Sequence, residues 1–300
     1  MIGALLILFN FSAGLSFASI APILPRVMES YELSHFLGGL TVGVLLGVSG
    51  IAAFPAGYLL ARFRIKWLLG LAWVICSFSI FTSLIDTYEF LLFQRIFFGI
   101  GIAFIVPASG PLIMQWFNPK HIALVTGVFF ASVSFGIAAG IFVTDRLAEV
   151  FSWQAVVSAE GLLLLIGGIL WILLGKERVN QEQSDSSLGM KDILVILRSR
   201  ITILMIIADA GPFACYIAFS AWLPTYYHEL FDMSLTEAGT IIGFAPLIGG
   251  FCLIFGGWLH HRRFSRKQMF IITGLAIPMF GLGSFTFESV LLLYLCVLGL

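Results

Sequence analysis

Three ionisable side chains lie inside long apolar stretches of this sequence: Arg95, Asp209 and Glu160. A charged side chain at the centre of a bilayer costs on the order of 2.5–3.5 kcal/mol on insertion scales, so each of them needs a partner or a role. The guanidinium of Arg95 could bind an anionic solute or take part in a proton relay, because its donors match the two oxygens of a carboxylate. The structural alternative is an Arg that reaches the outer membrane interface or caps a neighbouring helix.

Asp209 lies roughly 8 residues, or ~12 Å, beyond the start of its apolar run, which places it near the middle of a membrane span. Burial at this depth favours the protonated carboxyl, which suits a proton-coupling site. The alternative is a buried Asp that bonds to the helix backbone beside Gly211 and Pro212. Glu160 follows Trp153 closely, and we interpret it as a side chain that reaches the interface or makes a structural hydrogen bond.

Uncharged polar side chains add three candidates for the pathway of a solute or a proton: Asn10, Gln115 and Tyr216. Such residues in apolar helices also hydrogen-bond to neighbouring helices, so a packing role is the alternative for each. Together with Arg95 and Asp209, they form the predicted substrate and proton pathway.

The sequence carries no pattern typical of an active site or a bound metal. It has no cluster of metal ligands, no glycine loop that could hold a phosphate beside a base, and no arrangement of serine, histidine and aspartate. We therefore expect no enzyme activity, no catalytic residue and no cofactor. The expected partners are a small solute, a proton and the lipid bilayer, without nucleic acid, and the expected state is a monomer.

The composition identifies lipid as the solvent for most of the chain. Hydrophobic residues make up 60% and charged residues 11% of the sequence, and the mean hydropathy is +1.04. A soluble domain is nearer half apolar and a quarter charged. Apolar runs of about 20 residues predict an all-α integral membrane protein. The predicted spans lie near 2–24, 36–60, 67–85, 90–116, 122–143, 153–175, 201–224, 236–259 and 268–287, and from 289 onward.

The chain contains an internal repeat at an offset of 200 residues. Residues 57–66 are similar to residues 257–266. An even number of predicted spans separates the copies, so the two halves run parallel in the membrane. The sequence therefore predicts a six-helix half at 1–175, a cytoplasmic linker at 176–200 and a partial second half at 201–300. With about 9–10 spans present, we expect a piece of a twelve-span protein of roughly 400 residues. Upstream of both copies the match continues at Ser34/Ser234, Gly39/Gly239, Gly43/Gly243 and Gly50/Gly250.

The distribution of basic residues predicts the orientation of the chain. Most Lys and Arg residues lie in the loops after even-numbered spans and in the linker, whereas the opposite loops are acidic. The positive-inside rule therefore places the basic loops and the N-terminus in the cytoplasm, with the protein in the inner or plasma membrane.

The loops at 57–66 and 257–267 resemble the best-known signature of the major facilitator superfamily of secondary transporters. That signature, roughly G-x-L-x-D-R-x-G-R-[RK], lies between spans 2 and 3, with a degenerate copy between spans 8 and 9. Ala61 and His261 stand at its acidic position, so the resemblance implies a packing and orienting motif rather than a charge relay. The matching residues are Gly57, Leu59, Arg62, Lys66, Gly257, Leu259, Arg262, Arg266 and Lys267.

Two further stretches agree with this resemblance. Residues 95–103 are similar to the family's span 4 pattern R-x-x-q-G-x-g-a-a, and Gly127, Gly136 and Gly140 are similar to the glycine ladder of antiporters in span 5. The resemblance implies the superfamily's fold of two parallel six-helix halves. It also implies that span 4 lines a central cavity together with spans 1, 7 and 10.

The resemblance implies a secondary transporter that works by alternating access. Residues 115–119 and 221–227 look like the cyanate and nitrate/nitrite permeases, but spans 2 and 8 lack the Arg expected of a nitrate carrier. A small organic anion, with proton coupling as a further expectation, fits Arg95 and Asp209 best. The alternatives are a drug or metabolite efflux antiporter of the same superfamily and a non-transporting membrane sensor or assembly protein.

Overall fold

The computed structural model describes nearly all of the predicted first half and one long helix of the second. Most of predicted spans 7, 9 and 10 and most of the linker lie outside the described part. The described residues are 2–178, 195, 198–207, 210, 222, 223, 226, 227, 233–260, 268, 271, 272, 274–276, 279 and 282.

Every regular element of the described residues is helical, as the apolar runs predict. Taken together, α1 and α2 form one of five helices that are long and apolar enough to cross a membrane, and α3, α5, α6 and α7 form the others. Two 3-10 helices, Ser77–Phe81 and Pro119–His121, follow α4 and precede α6. The α-helices are α1 (Ile2–Ala18), α2 (Ile20–Ser30), α3 (His35–Arg62), α4 (Ile65–Cys76), α5 (Tyr88–Trp116), α6 (Ile122–Val150), α7 (Trp153–Leu174) and α8 (Leu235–His260).

The helices agree with the predicted spans wherever the chain is described. Predicted spans 1 to 6 correspond to α1 with α2, α3, α4, α5, α6 and α7, and span 8 corresponds to α8. Span 1 differs in two respects, because it continues to Ser30 and is interrupted at Ser19. Span 3 differs in its ending, where α4 gives way to the 3-10 helix Ser77–Phe81. Span 5 ends later than predicted, since α6 continues to Val150 rather than ending near residue 143.

The repeat is visible in the way that α3 and α8 begin. The hydroxyl of Ser34 accepts a hydrogen bond from the backbone N–H of Leu37 at 3.4 Å. At the matching position, Ser234 Oγ accepts from the N–H of Glu237 at 3.2 Å, and Glu237 Oε2 accepts from the N–H of Ser234 at 3.1 Å. This reciprocal pair is a capping box, which satisfies donors that a helix N-terminus leaves free.

An aromatic cluster holds α1 against α4 and α7. The ring of Phe9 lies 5.3 Å from that of Trp73 and 6.0 Å from that of Trp171. All three side chains are buried, and the indole N–H of Trp171 donates to the carbonyl of Lys66 at 3.0 Å. In lipid, such packing and interhelical hydrogen bonds hold helices together, because the apolar solvent supplies little hydrophobic driving force.

Glycines on α6 allow its backbone to approach two other helices. A Cβ atom added at Gly136 would collide with the carbonyl of Phe11, and one added at Gly140 would lie 2.5 Å from the carbonyl of Leu15, both on α1. Gly127 faces α8 instead, where the carbonyl of Leu253 would lie 2.7 Å from an added Cβ. The predicted ladder is therefore a packing device that joins α6 to the first half and to α8.

The close α1–α6 contact predicts that Gly140→Ala destabilises the protein. Overpacking a tight contact costs on the order of 1–3 kcal/mol, because the backbones must move apart. Gly110→Ala on α5 is the matched control, since no described atom lies within 4 Å of its added Cβ. Thermal unfolding of the detergent-purified protein measures both, and equal melting temperatures for the two variants would contradict the packing role of Gly140.

Candidate functional site

A small buried cavity surrounded by polar side chains lies between span 1, α5, α7 and the 3-10 helix of span 3. Its volume of about 10 Å³ is close to the minimum that holds one water molecule. Phe98 and Val157 supply apolar walls. The polar lining residues are Ser16, Ser19, Ser79, Gln94, Arg95 and Glu160.

The interruption of span 1 at Ser19 brings polar backbone and side-chain atoms to this cavity. Pro22 has no N–H to donate to the carbonyl of Ala18, so one backbone hydrogen bond is missing there, although Ser19 keeps helical dihedral angles and its N–H donates to the carbonyl of Leu15 at 3.1 Å. The hydroxyl of Ser19 donates to the carbonyl of Ser16 at 3.1 Å. In a bilayer, a proline inside a helix is tolerated where neighbouring groups satisfy the freed carbonyl.

Arg95 on α5 points into the cavity rather than toward the membrane interface. Its residue exposure is 6%, and its Nη1 donates to the carbonyl of Ser16 at 3.4 Å. Its charge interacts with that of Glu160. Within the described part of the chain the two side chains do not form a salt bridge shorter than 4.0 Å, so space for a bridging group remains between them.

Glu160 on α7 is the acidic group that faces Arg95 across the cavity. Its residue exposure is 5%, and Oε1 accepts a hydrogen bond from Thr144 Oγ1 at 3.3 Å. The hydroxyls of Ser19 and Ser16 approach the same carboxylate, although Ser16 Oγ makes no well-formed hydrogen bond. A buried carboxylate therefore has a cation on one side and hydroxyl donors on the other.

Several polar atoms around the cavity lack a partner in the described structure. They are Ser16 Oγ, Ser79 Oγ and Gln94 Nε2, whereas Gln94 Oε1 accepts from Thr82 Oγ1 at 2.9 Å. Buried polar groups in native proteins are hydrogen-bonded as a rule. The unsatisfied atoms and the available volume together fit one resident water that donates and accepts within the cavity.

Asn10 and Gln115, two other predicted pathway residues, do not line this cavity. The amide of Asn10 donates to the carbonyl of Leu6 in its own helix at 2.7 Å, which is the packing alternative. Gln115 Oε1 accepts from the backbone N–H of Arg178 at 3.2 Å, at the predicted cytoplasmic end. Asp209 and Tyr216 lie outside the described residues, so their roles remain predictions.

Sequence reasoning did not pair Glu160 with Arg95, although a signal for the pair exists. Arg95 follows Tyr88, the first residue of α5, by the same number of positions as Glu160 follows Trp153, the first residue of α7. Both helices start at the predicted outer end, so the two charges lie at equal depth, ~10 Å below that end at 1.5 Å per residue. Opposite charges at equal depth in neighbouring spans predict a pair.

The predicted cytoplasmic loop motif shows two different glycine environments. Gly57 on α3 has no described atom within 4 Å of an added Cβ, whereas one at Gly257 on α8 would lie 2.8 Å from the carbonyl of Ala123. Arg62 places its guanidinium 4.3 Å from the centre of the Tyr58 ring. The Lys66 ammonium lies 5.4 Å from the adjacent Trp67 ring, and Arg262 and Arg266 lie outside the described part.

Glu177, which the sequence analysis did not single out, supplies an acidic group to the same loop. Its carboxylate accepts from the backbone N–H groups of Ile65 and Lys66 at 3.2 and 3.3 Å, and so caps the start of α4. An anion at a helix N-terminus is favoured by the unpaired N–H groups and the helix dipole. The loop therefore has an acidic group from the beginning of the linker, although Ala61 stands at the acidic position of the motif.

The model of the Major Facilitator Superfamily matches residues 6–300 of this chain. The chain belongs to the major facilitator superfamily. The fold agrees, since a solved bacterial homolog of the human lysosomal transporter Spinster, inward-facing and occupied, aligns with a TM-score of 0.74 at 16% identity, over 99% of this chain and 70% of that one.

Sequence relatives within the superfamily include an uncharacterized protein of Campylobacter jejuni, 26% identical over 287 residues, or 93% of this chain and 89% of the relative. The probable L-galactonate transporter of Escherichia coli is 25% identical over 243 residues, or 74% of this chain and 54% of the relative. The hexuronate transporter of Bacillus subtilis is 27% identical over 281 residues, or 87% of this chain and 66% of the relative. These relatives are transporters rather than enzymes wherever their names state a role.

The geometry of the cavity predicts that Arg95 and Glu160 are energetically coupled. Arg95→Gln and Glu160→Gln should each destabilise the protein, because each leaves a buried charge without its partner. The double variant should cost less than the sum, with a coupling of about 0.5–3 kcal/mol. Thermal unfolding in detergent measures the cycle. Additive effects of the two substitutions would show that the side chains do not interact.

Proposed function

We propose that the protein is a secondary active transporter that moves a small organic anion across the cell membrane by alternating access. The observation that carries the proposal is the match of this superfamily chain to relatives named for L-galactonate and hexuronate, which are small carboxylates. The proposed setting is the inner or plasma membrane, with a cytoplasmic N-terminus and a monomeric protein, as the basic loops and the repeat predict.

Contacts between α6 and α8 support the alternating-access part of the proposal, because they join the two predicted halves along their length. Toward the predicted outer end, a Cβ added at Gly243 would lie 2.8 Å from the Phe142 ring. Toward the predicted cytoplasmic end, one at Gly257 would lie 2.8 Å from Ala123 O. Small residues at both ends let the helices approach closely, which suits rocking of one half against the other.

Arg95 supports a proton relay better than direct contact with a solute. The cavity that it faces has a volume of about 10 Å³, which is the space of one water molecule and far below that of a sugar acid. Proton coupling is therefore part of the proposal. The sequence predicts Asp209 as a proton carrier, and the buried pair of Arg95 and Glu160 is a second candidate.

Export of an anion is the second candidate function. The nitrite extrusion protein of Bacillus subtilis is 22% identical over 261 residues, or 86% of this chain and 65% of the relative. The glycines of α6 that resemble the antiporter ladder are compatible with exchange of an anion. Uptake into proteoliposomes that contain no anion distinguishes the two classes, because a symporter needs no internal anion whereas an antiporter takes up label only in exchange for a preloaded one.

Reconstituted protein is expected to move sugar acids. Proteoliposomes preloaded with unlabelled L-galactonate or glucuronate should take up the same labelled anion faster than protein-free liposomes, and an inward proton gradient should increase accumulation. Nitrate is the comparison anion, and we expect it to move more slowly because spans 2 and 8 contain no Arg. Absence of counterflow for both sugar acids would contradict the proposed substrate class.

Alternating access predicts that a disulfide between α6 and α8 stops transport. Leu124→Cys with Gly257→Cys is the suitable pair, because an added Cβ at Gly257 lies 3.4 Å from the Cα of Leu124. Oxidation should abolish uptake and reduction should restore it, in protein whose Cys215, Cys252 and Cys296 are replaced by Ser. Each single-cysteine variant is the control, and full uptake by the oxidised pair would show that this interface does not move.

A further inference from the structure

We propose that Glu160 is a proton-binding residue, and that the cavity between Glu160 and Arg95 is where the transporter takes up and releases the proton that it moves. This inference rests on the proposed function and adds to it the identity of a proton site. The step is a simple protonation, in which the carboxylate gains a proton from water and later returns it, so no other reactant is required.

Two irregular backbone segments meet at this cavity, which distinguishes it from an ordinary buried ion pair. Span 1 is interrupted at Ser19, and span 3 changes from α-helix to 3-10 helix at Ser77. Ser79 of that 3-10 helix lines the cavity. The carbonyl of Ser16, next to the first of these junctions, accepts from Arg95, so the backbone contributes directly to the site.

The arrangement gives each protonation state of Glu160 a set of partners. The ionised carboxylate has the charge of Arg95 and the hydrogen bond from the hydroxyl of Thr144. When the carboxyl is protonated, Arg95 still has the carbonyl of Ser16. The unpartnered Nε2 of Gln94 lines the same cavity and can hold a bridging water.

Charged groups on the elements packed against α7 do not compete for this carboxylate in the described structure. On α6, Asp145 forms an ion pair with Arg26 of α2 at 3.1 Å. On α4, Lys66 lies at the first turn, at the predicted cytoplasmic end and away from Glu160. The 3-10 helix and α1 contribute the hydroxyls of serines rather than charges. Arg95 is therefore the charge that sets the electrostatics of Glu160 among the described residues.

Further polar side chains pair with one another near the predicted outer ends of α7 and span 3. The hydroxyls of Ser83 and Ser158 lie 2.8 Å apart, one level above Glu160. Above them, the Asp86 carboxylate accepts from the amide of Gln154 at 3.3 Å and from the hydroxyl of Tyr31 at 2.6 Å.

Tyr31 remains a donor at this surface at physiological pH. Burial and the hydrogen bond to Asp86 raise the pKa of Tyr31 above its usual value. The path from the outer water to Glu160 is ~10 Å long at 1.5 Å per residue along α7.

The transport test compares Glu160→Gln with three variants in proteoliposomes that contain L-galactonate or glucuronate. A monovalent anion that moves with one proton can accumulate about tenfold for each unit of pH difference, since a tenfold ratio is the free energy of one pH unit. Glu160→Gln should keep counterflow and lose this accumulation, and Glu160→Asp should restore it. Glu149→Gln, an exposed acid on α6, should accumulate like the unaltered protein.

Asp209→Asn is the discriminating variant, because the sequence predicts that position as an alternative proton site. Loss of accumulation in Asp209→Asn, with full accumulation in Glu160→Gln, would overturn the inference. Absence of counterflow in the unaltered protein would instead contradict the proposed function, and it would leave the proton site to a second measurement.

Infrared titration of the purified protein in lipid provides that measurement without any transported solute. A protonated carboxyl has a C=O stretching band that a carboxylate lacks, so lowering the pH should produce a band from Glu160. The band should be absent in Glu160→Gln, displaced in Glu160→Asp and unchanged in Glu149→Gln. Identical titrations of the unaltered protein and Glu160→Gln would show that Glu160 binds no proton.

Discussion

The close backbone contact between α1 and α6 is the constraint on which the rest of the described structure depends. Gly136 and Gly140 have no side chains to hold these helices apart, so α6 lies against the carbonyls of Phe11 and Leu15. One turn beyond Gly140, Thr144 then reaches Glu160 of α7. In a bilayer, this steric fit replaces the hydrophobic effect as the main reason for helices to pack.

The contact between α1 and α6 also positions groups that stabilise two buried charges, those of Arg95 and Glu160. Arg95 and Glu160 each lose their hydration inside the helix bundle, a cost that their mutual attraction offsets only if the remaining donors and acceptors find partners. The first span supplies such partners, because the carbonyl of Ser16 accepts from Arg95 and the hydroxyl of Ser19 lies beside Glu160. Oxygen atoms of the first span therefore help to stabilise both buried charges.

On the other side of α6, the packing connects the two predicted halves. Gly127 of α6 lies close to the backbone of α8, and Gly257 of α8 lies close to the backbone of α6. In the repeat, Gly57 corresponds to Gly257, yet Gly57 has no described neighbour within 4 Å. The helix opposite Gly257 supplies these contacts, so its place in the motif alone does not predict them.

An all-helical membrane protein of the major facilitator superfamily is recognisable from this sequence, and so is the approximate position of each described span. These properties depend on local composition and on the repeat, which hydrophobicity and spacing reveal directly. The ends of the helices were less well predicted, since span 1 continues to Ser30 and span 5 to Val150, each more than a turn beyond the predicted end. Three contacts could be read only from the packed helices: Arg95 faces Glu160, Asn10 bonds within its own helix and Glu177 caps α4. Such pairings join residues far apart in sequence, and the rotation of each helix about its axis is set by close packing against its neighbours.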